Sequence, residues 1–367
     1  MNLLLLREFH ERLAAQFTEI NGQEVVLDYG DALAEHAALR DSAGVLDLSF
    51  RSRLCLAGTE RVRFLHGQVT NNVKDLKSGE GCYAALVNAK GKLQSDLNIY
   101  CLPDELLLDF EPGFQRAVRE RFEKFIIADD VQVLDAEPHY GLLSVQGPKA
   151  GAVVSALCPE SVIPQKPLNF FTFTDAALGE IFVMNHSRVG VTGFDLFIPN
   201  AAMVVVADKL TAAARALSGC ACGWQALEWA RIEAGIPRFG VDMDETNLAP
   251  EPGIEARAIS YSKGCYIGQE VIARIRTYGQ VAKSLCGLQL AKNCKVLPQG
   301  GDKLWRGDKE IGYVTSAMVS PTLKTNIALA YVRREANQTG AALILRGAGG
   351  ESSASIVELP FVRFGGK

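Results

Sequence analysis

The sequence predicts an α+β protein that ends in a small antiparallel β-barrel. Three observations carry that expectation. Helical and strand patterns alternate irregularly as far as about residue 283. From Ser284 onward, short apolar strands recur between Gly, Pro and Asp, the texture of a small barrel. The chain has 367 residues, 48% of them apolar and 22% charged, enough material for more than one core. The organisation expected is a region over residues 1–283, built as two intertwined α+β subdomains, and a barrel over 284–367.

The elements follow in order. Asp31–Arg40 has helical texture, with Gly44 where a helix would stop. Val45–Leu48 and Leu54–Ala57 read as short strands, and Thr59 as the cap of a helix that carries Val62 and Leu65 and ends at Gly67. Tyr83–Val87, the turn Asn88–Gly91 and Lys92–Cys101 form a hairpin. In its second strand Leu93, Leu97 and Ile99 point one way, while Gln94, Asp96, Asn98 and Tyr100 point the other. Phe114, Val118, Phe122, Phe125 and Ile126 keep helical spacing. Strands are expected at Val131–Leu134 and Leu142–Val145. Helices are expected at 200–218 and at Gln225–Ala234, the latter stopped by Gly235. Leu285–Leu290, Ile311–Ser316, Ile327–Val332 and Ala342–Leu345 supply the barrel strands.

Composition narrows the function. A net charge of −4 and a sequence pI near 5.9 give nothing to neutralise a run of phosphates, so nucleic-acid binding is not expected. Leu3–Leu6 is too short for a signal-peptide core, and no run is long enough for a membrane span. Both point to the cytoplasm. The nine cysteines are odd in number and irregularly spaced, which is no disulfide framework. Cys220 and Cys222 lack the spacing of a zinc site, so no metal site is expected.

Several residues stand out by pattern. Asp195 alternates with Phe194 and Leu196 along a strand and so faces away from the apolar side; a solvated acid on a half-buried strand is the plain alternative. Asp96, Asn98 and Tyr100 put several polar groups on one strand face, as the wall of a wet cleft or of a solvent-facing strand would. Tyr83 lies at the start of the hairpin, where a core tyrosine is the bland choice. Arg231 sits on an apolar helix stripe and needs either an anionic ligand or an acid such as Glu233. Finally, Lys263-Gly264-Cys265 is followed by Gly268, Gln269 and Glu270. Lys263 is near enough in sequence to favour a thiolate at Cys265, and the glycines permit tight turns. A buried cysteine in a turn fits the same residues.

The string Lys263–Glu270, continued to Arg274, resembles the signature K-G-C-[FY]-x-G-Q-E-x-x-x-R of the YgfZ family, with every fixed position present. Other segments resemble the wider aminomethyltransferase superfamily of the glycine cleavage T-protein. These are Asp47–Ser49, Val69–Val73, Ala230–Gly235, Gly312–Ser316 with Ser320-Pro321, and Ile327–Val332. The likeness runs over nearly the whole chain.

This resemblance implies an aminomethyltransferase-like multi-domain fold that binds folate. It implies that tetrahydrofolate, or a derivative, is held by Tyr83, Asp96, Asp195 and Arg231, with Tyr100 on the same wall. Asp195 matches the acid on the pterin edge, where the transferase uses Glu. Asp96 matches the second Asp of N-x-x-G-G-x-x-D-D-L, which serves the folate nitrogens carrying the one-carbon unit; Ser95 and Lys92 depart from that pattern. Cys265 and Lys263 would carry the family's redox or transfer step. The expected function is a tetrahydrofolate-binding accessory protein for assembly or repair of iron–sulfur enzymes, with those enzymes or assembly proteins as partners. The alternative is a tetrahydrofolate-dependent aminomethyl or methyl transferase, with Asp96 stabilising charge that develops near the folate nitrogen.

Overall fold

A computed structural model describes residues 3–158, 163–292 and 294–363. Two sheets and a barrel organise it. The first sheet has six strands in the order Phe170–Asp175, Gly179–Asn185, Gly193–Pro199, Tyr140–Gln146, Gly44–Asp47 and Cys220–Ala221. The second has five, in the order Gly81–Val87, Leu93–Cys101, Leu106–Phe110, Ser52–Ala57 and Gln132–Asp135. Six antiparallel strands between Lys283 and Val357 close the barrel. An α+β fold with a C-terminal barrel is therefore what the chain adopts. Among the described residues no helix is long and apolar enough to cross a membrane.

The first sheet is covered on both faces. Helices Ala150–Leu157 and Met203–Ala216 pack on one face with Val145, Phe194, Leu196 and Ile198. Leu46, Leu142, Met184, Phe197 and Tyr100 fill the other. Each such fully buried Leu or Phe contributes about 1.5–3 kcal/mol. Asp195 therefore lies on a central strand buried on both sides, not on a half-wet one, and is 0% exposed. The second sheet is backed by helices Arg61–Gln68 and Gln115–Glu123, through Phe64, Leu65, Val118 and Phe122.

Some local expectations need correction. Thr59 does not cap its helix. Its hydroxyl and N–H both donate to Asp130, at 2.6 and 2.9 Å, because that carboxylate reaches in from a neighbouring loop. Gly44 opens a strand, and the preceding helix Ala32–Asp41 ends at Ser42. Asp31 caps that helix, accepting from Ala34 N at 3.0 Å. The hairpin Gln16–Ile20 and Gln23–Asp28 was not expected, although Asn21 and Gly22, both with positive φ, are a strong turn signal.

The barrel is seated on helix Trp224–Glu233. Glu233 accepts from Thr322 Oγ1 at 2.8 Å and Thr322 N at 3.1 Å, and also bonds Ser320 Oγ. Thr315 and Ser316 donate to Asp242 at 2.6 and 2.7 Å. Ile232, Met318, Ile327 and Leu329 close the seam with apolar contact.

Candidate functional site

A cavity of about 550 Å³ opens between the two sheets and helix Trp224–Glu233. Tyr83, Asp96, Asn98 and Glu111 come from the second sheet and its edge. His186 and Arg188 come from the loop after Gly179–Asn185, and Trp224, Arg231 and Arg238 from the helix and the chain beyond it.

The hairpin positions Tyr83 and Asp96. Asn88 Oδ1 accepts from Lys90 N at 2.9 Å and Lys92 N at 3.1 Å, and Gly91 turns at φ +68°. Tyr83 pairs with Asn98 in the register and Ala85 with Asp96, so Tyr83 and Asp96 share a face two residues apart along the ladder. The Tyr83 hydroxyl donates to Asp96 Oδ2 at 2.8 Å, while Asp96 Oδ1 is buried without a partner. Burial, reinforced by Glu111, pushes the Asp96 pKa up to about 6; the Tyr83 hydrogen bond and Arg51 hold it back. Burial, then Asp96, drives the Tyr83 phenol well above its ordinary value. Arg257 lies over the Tyr83 ring, 5.1 Å from its centre. Asn71, from the Val69–Val73 segment, donates to the carbonyls of Tyr83 and Arg257 at 2.8 and 2.9 Å and so fixes both.

Asp195 does not line the cavity. Its carboxylate accepts from Arg188 Nε at 3.0 Å, Arg188 Nη2 at 2.6 Å and His186 Nδ1 at 2.8 Å. Arg188 also reaches Asp109 at 3.0 Å, and Asp109 takes Arg51 at 2.7 Å. Burial opposes ionisation of Asp195, but Arg188 and His186 outweigh it and keep its pKa low. Burial likewise opposes ionisation of Asp109, and Arg51 and Arg188 outweigh it. His186 and Arg188 do line the cavity, so Asp195 acts on it through them. Asp109, His186 and Asp195 lie close enough to hold a metal geometrically. Arg188 already fills that space with a cation, so the cluster is an ion-pair network.

Tyr100 also stays out of the cavity. It is 0% exposed, edge-on to Phe170 and Phe197, and its hydroxyl approaches only His186 at 3.4 Å. The polar face of its strand ends at Asn98 because the first sheet packs over the rest. Arg231 lines the cavity, but its donors go to Glu228 at 2.9 and 3.2 Å, to Ser316 at 3.1 Å and to Asp242. The internal partner is thus not Glu233, which His36 and the barrel occupy. Burial opposes the Arg231 charge, and Asp242 and Glu228 more than restore it.

Cys265 and Lys263 form a separate neighbourhood outside the cavity lining. Lys263 is buried, and its ammonium donates to three carbonyls: His66 at 2.5 Å, Val69 at 2.7 Å and Asn71 at 2.9 Å. Burial lowers its pKa to about 8. Lys263 is thus spent on clamping the loop to the end of helix Arg61–Gln68, not on Cys265. Gly268, at φ +85°, starts helix Gln269–Tyr278, and a Cβ there would lie 2.5 Å from Asn88 O. The loop is therefore pressed against the hairpin turn. Cys265 itself is exposed, whereas the other eight cysteines are buried or half-buried.

Sequence reasoning missed Glu111, Arg188, His186 and Arg238, all on the cavity wall. Arg188 and His186 lie seven and nine residues before Asp195, in a segment with no periodicity to mark it. Arg238 follows Ile236-Pro237 beyond the helix stop, and only its charge among apolar neighbours could have flagged it.

Fold and cavity together define a two-sheet α+β protein with a docked barrel and a cleft lined by charged, polar and aromatic side chains. The chain belongs to the GCVT family: residues 6–263 match the GCVT N-terminal domain and residues 283–363 the glycine cleavage T-protein C-terminal barrel domain. It is 30% identical over 356 residues to an aminomethyltransferase of Corynebacterium jeikeium, covering 91% of this chain and 90% of that one. It is 27% identical over 365 residues to an aminomethyltransferase of Halothermothrix orenii, covering 97% and 99%. Its fold matches that of the glycine cleavage system aminomethyltransferase T of Bartonella henselae, with a TM-score of 0.88 at 24% identity over 99% and 98% of the two chains. Proteins of this family typically bind tetrahydrofolate.

Proposed function

We propose that the cavity binds tetrahydrofolate and that this protein is a folate-dependent one-carbon transferase of the aminomethyltransferase type. The observation that carries the reading is Asp96 Oδ1, an acceptor on the cavity wall that is buried and unpartnered. An unsatisfied buried oxygen costs about 1–3 kcal/mol, and a ligand N–H removes that cost. Tetrahydrofolate supplies the nitrogens that accept a one-carbon unit. Near pH 7 Asp96 is mostly ionised, because its pKa of about 6 lies below neutrality, and it can stabilise positive charge at a neighbouring nitrogen. Tyr83 fixes which carboxylate oxygen faces the ligand. Arg257 is placed for an anionic tail, since its guanidinium makes no salt bridge among the described residues. Arg231 shapes the wall and locks the barrel. Asp195 orients Arg188 and His186. The reading is tested by an aminomethyl-transfer assay with tetrahydrofolate; Asp96→Asn should abolish turnover while the fold is kept.

Cys265 favours a second reading. It is the exposed thiol, and it stands in the loop that resembles the YgfZ family. In that reading the protein binds tetrahydrofolate and serves iron–sulfur enzymes or their assembly proteins through Cys265. Ser95 in place of an acid next to Asp96 is in keeping with it. The names of the relatives support the transferase instead. Turnover that survives Cys265→Ala would favour transfer. A folate-binding protein with no turnover, whose cellular role is lost with Cys265, would favour the accessory role.

A further inference from the structure

Cys220 and Cys222 bring two thiols together at the margin of the first sheet. Strand alternation turns both side chains to one face, and their sulfurs lie 3.8 Å apart. Their strand is the last of the sheet and pairs in parallel with Gly44 and Val45. Gly44 makes room for the inner sulfur, since a Cβ there would stand 2.6 Å from Cys222 Sγ. Cys222 is 1% exposed, and its N–H donates to Val45 O at 2.8 Å. The next N–H, of Gly223, donates to Glu35 Oε2 at 2.8 Å, so the inner cysteine is anchored on both sides. Cys220 is only half-buried, and its N–H makes a longer bond, 3.2 Å, to Ala43 O. The hydrogen bond with Cys222 lowers the Cys220 pKa against the opposition of burial and Glu35, with Arg215 helping. Burial raises the pKa of Cys222. A reachable thiol with thiolate character beside a shielded one is the arrangement of an attacking and a resolving cysteine.

We propose that Cys220 and Cys222 form a redox-active dithiol, oxidised to a disulfide by a small-molecule disulfide and restored by a dithiol. The Cys220 thiolate attacks the incoming disulfide, forms a mixed disulfide and expels one thiolate. Cys222 then attacks Cys220 Sγ, closes the protein disulfide and expels the second thiolate. The protein loses two electrons, and the two thiol protons end on the two small-molecule thiols. The sulfurs must close to about 2.0 Å. Cys220 makes that approach, because it stands on the free edge of the sheet while Cys222 is held. The ring closes over a single residue, Ala221, and so departs from relaxed disulfide geometry. Such bonds are the readily reduced ones, which makes the change reversible.

Anaerobic incubation of the full chain with oxidised glutathione tests the assignment, followed by alkylation in denaturant, trypsin and mass spectrometry. Trypsin cuts after Arg215 and Arg231, so one peptide, residues 216–231, carries both thiols and no other cysteine. In wild type that peptide should lose two hydrogens and carry neither an alkyl group nor glutathione. Dithiothreitol should return both free thiols. Cys222→Ser should instead hold glutathione on Cys220, because the resolving thiol is gone. Cys220→Ser should leave Cys222 free, because that thiol is shielded. Circular dichroism checks that each variant is folded; should one fail to fold, the wild-type peptide decides alone. A wild-type peptide with both thiols alkylated, with glutathione retained on Cys220, or joined to another peptide overturns the assignment.

Discussion

Tyr83 and Asp96 form a 2.8 Å hydrogen bond on the cavity wall that leaves the other carboxylate oxygen of Asp96 buried and without a partner. Ligand affinity should therefore track the ionisation of Asp96. Burial and Glu111 place its pKa at about 6, so the acceptor is charged above that pH and neutral below it. Tetrahydrofolate affinity is expected to be flat above pH 7 and to fall as pH drops through about 6. Tyr83→Phe removes a bond that favours the carboxylate, so the midpoint should move upward. Asp96→Asn should abolish the step. Titration calorimetry between pH 5 and 8 checks all three, with the fold monitored in parallel.

The same shift affects stability. A carboxyl whose pKa is raised on folding favours the native state fully below its unfolded value, near 3.8, and loses that contribution as pH rises through about 6. Wild type should thus lose roughly 2–3 kcal/mol from this group between pH 4 and 7. Asp96→Asn should be more stable than wild type at pH 8, with the difference shrinking toward pH 4. Urea unfolding at the two pH values measures it.

Asp195→Ala should damage the fold as well as the site. It leaves Arg188 and His186 without their shared carboxylate in a buried setting. Breaking such a pair costs about 3–5 kcal/mol. Chemical denaturation should report that loss, and tetrahydrofolate affinity should fall as Arg188 loosens. Asp195→Asn, which keeps the shape, should lose less on both counts.

These residues show how far the sequence could be read. The hairpin, its turn and the outward face of Asp96 were legible, because strand alternation and the Asn88–Gly91 turn are local signals. The barrel was legible for the same reason. Tyr100 was not, since only the packing of the first sheet over that strand end turns it from cleft wall into core. Asp195 lies on the face opposite Phe194 and Leu196, as the alternation predicts, but that face is buried as well, and the loop bringing Arg188 and His186 onto it has no periodic pattern. Lys263 was paired with Cys265 by proximity in sequence, whereas carbonyls nearly two hundred residues earlier claim it.

The cysteine loop should separate into a structural and a chemical part. Lys263→Met removes three charge-assisted bonds and is expected to destabilise the protein by about 2–4 kcal/mol, with proteolysis starting in 260–268. Cys265→Ala, at an exposed position, should change stability by no more than about 0.5 kcal/mol. Alkylation of the native protein, followed by mass spectrometry, should label Cys265 before any other cysteine.

The most direct measurement is anaerobic titration calorimetry with tetrahydrofolate at pH 8, wild type beside Asp96→Asn. Saturable binding to one site, weakened at least about tenfold by the substitution in a protein of native fold, is the predicted result. No binding by wild type, or equal affinity in the two proteins, would contradict the claim that this cavity holds the folate against Asp96.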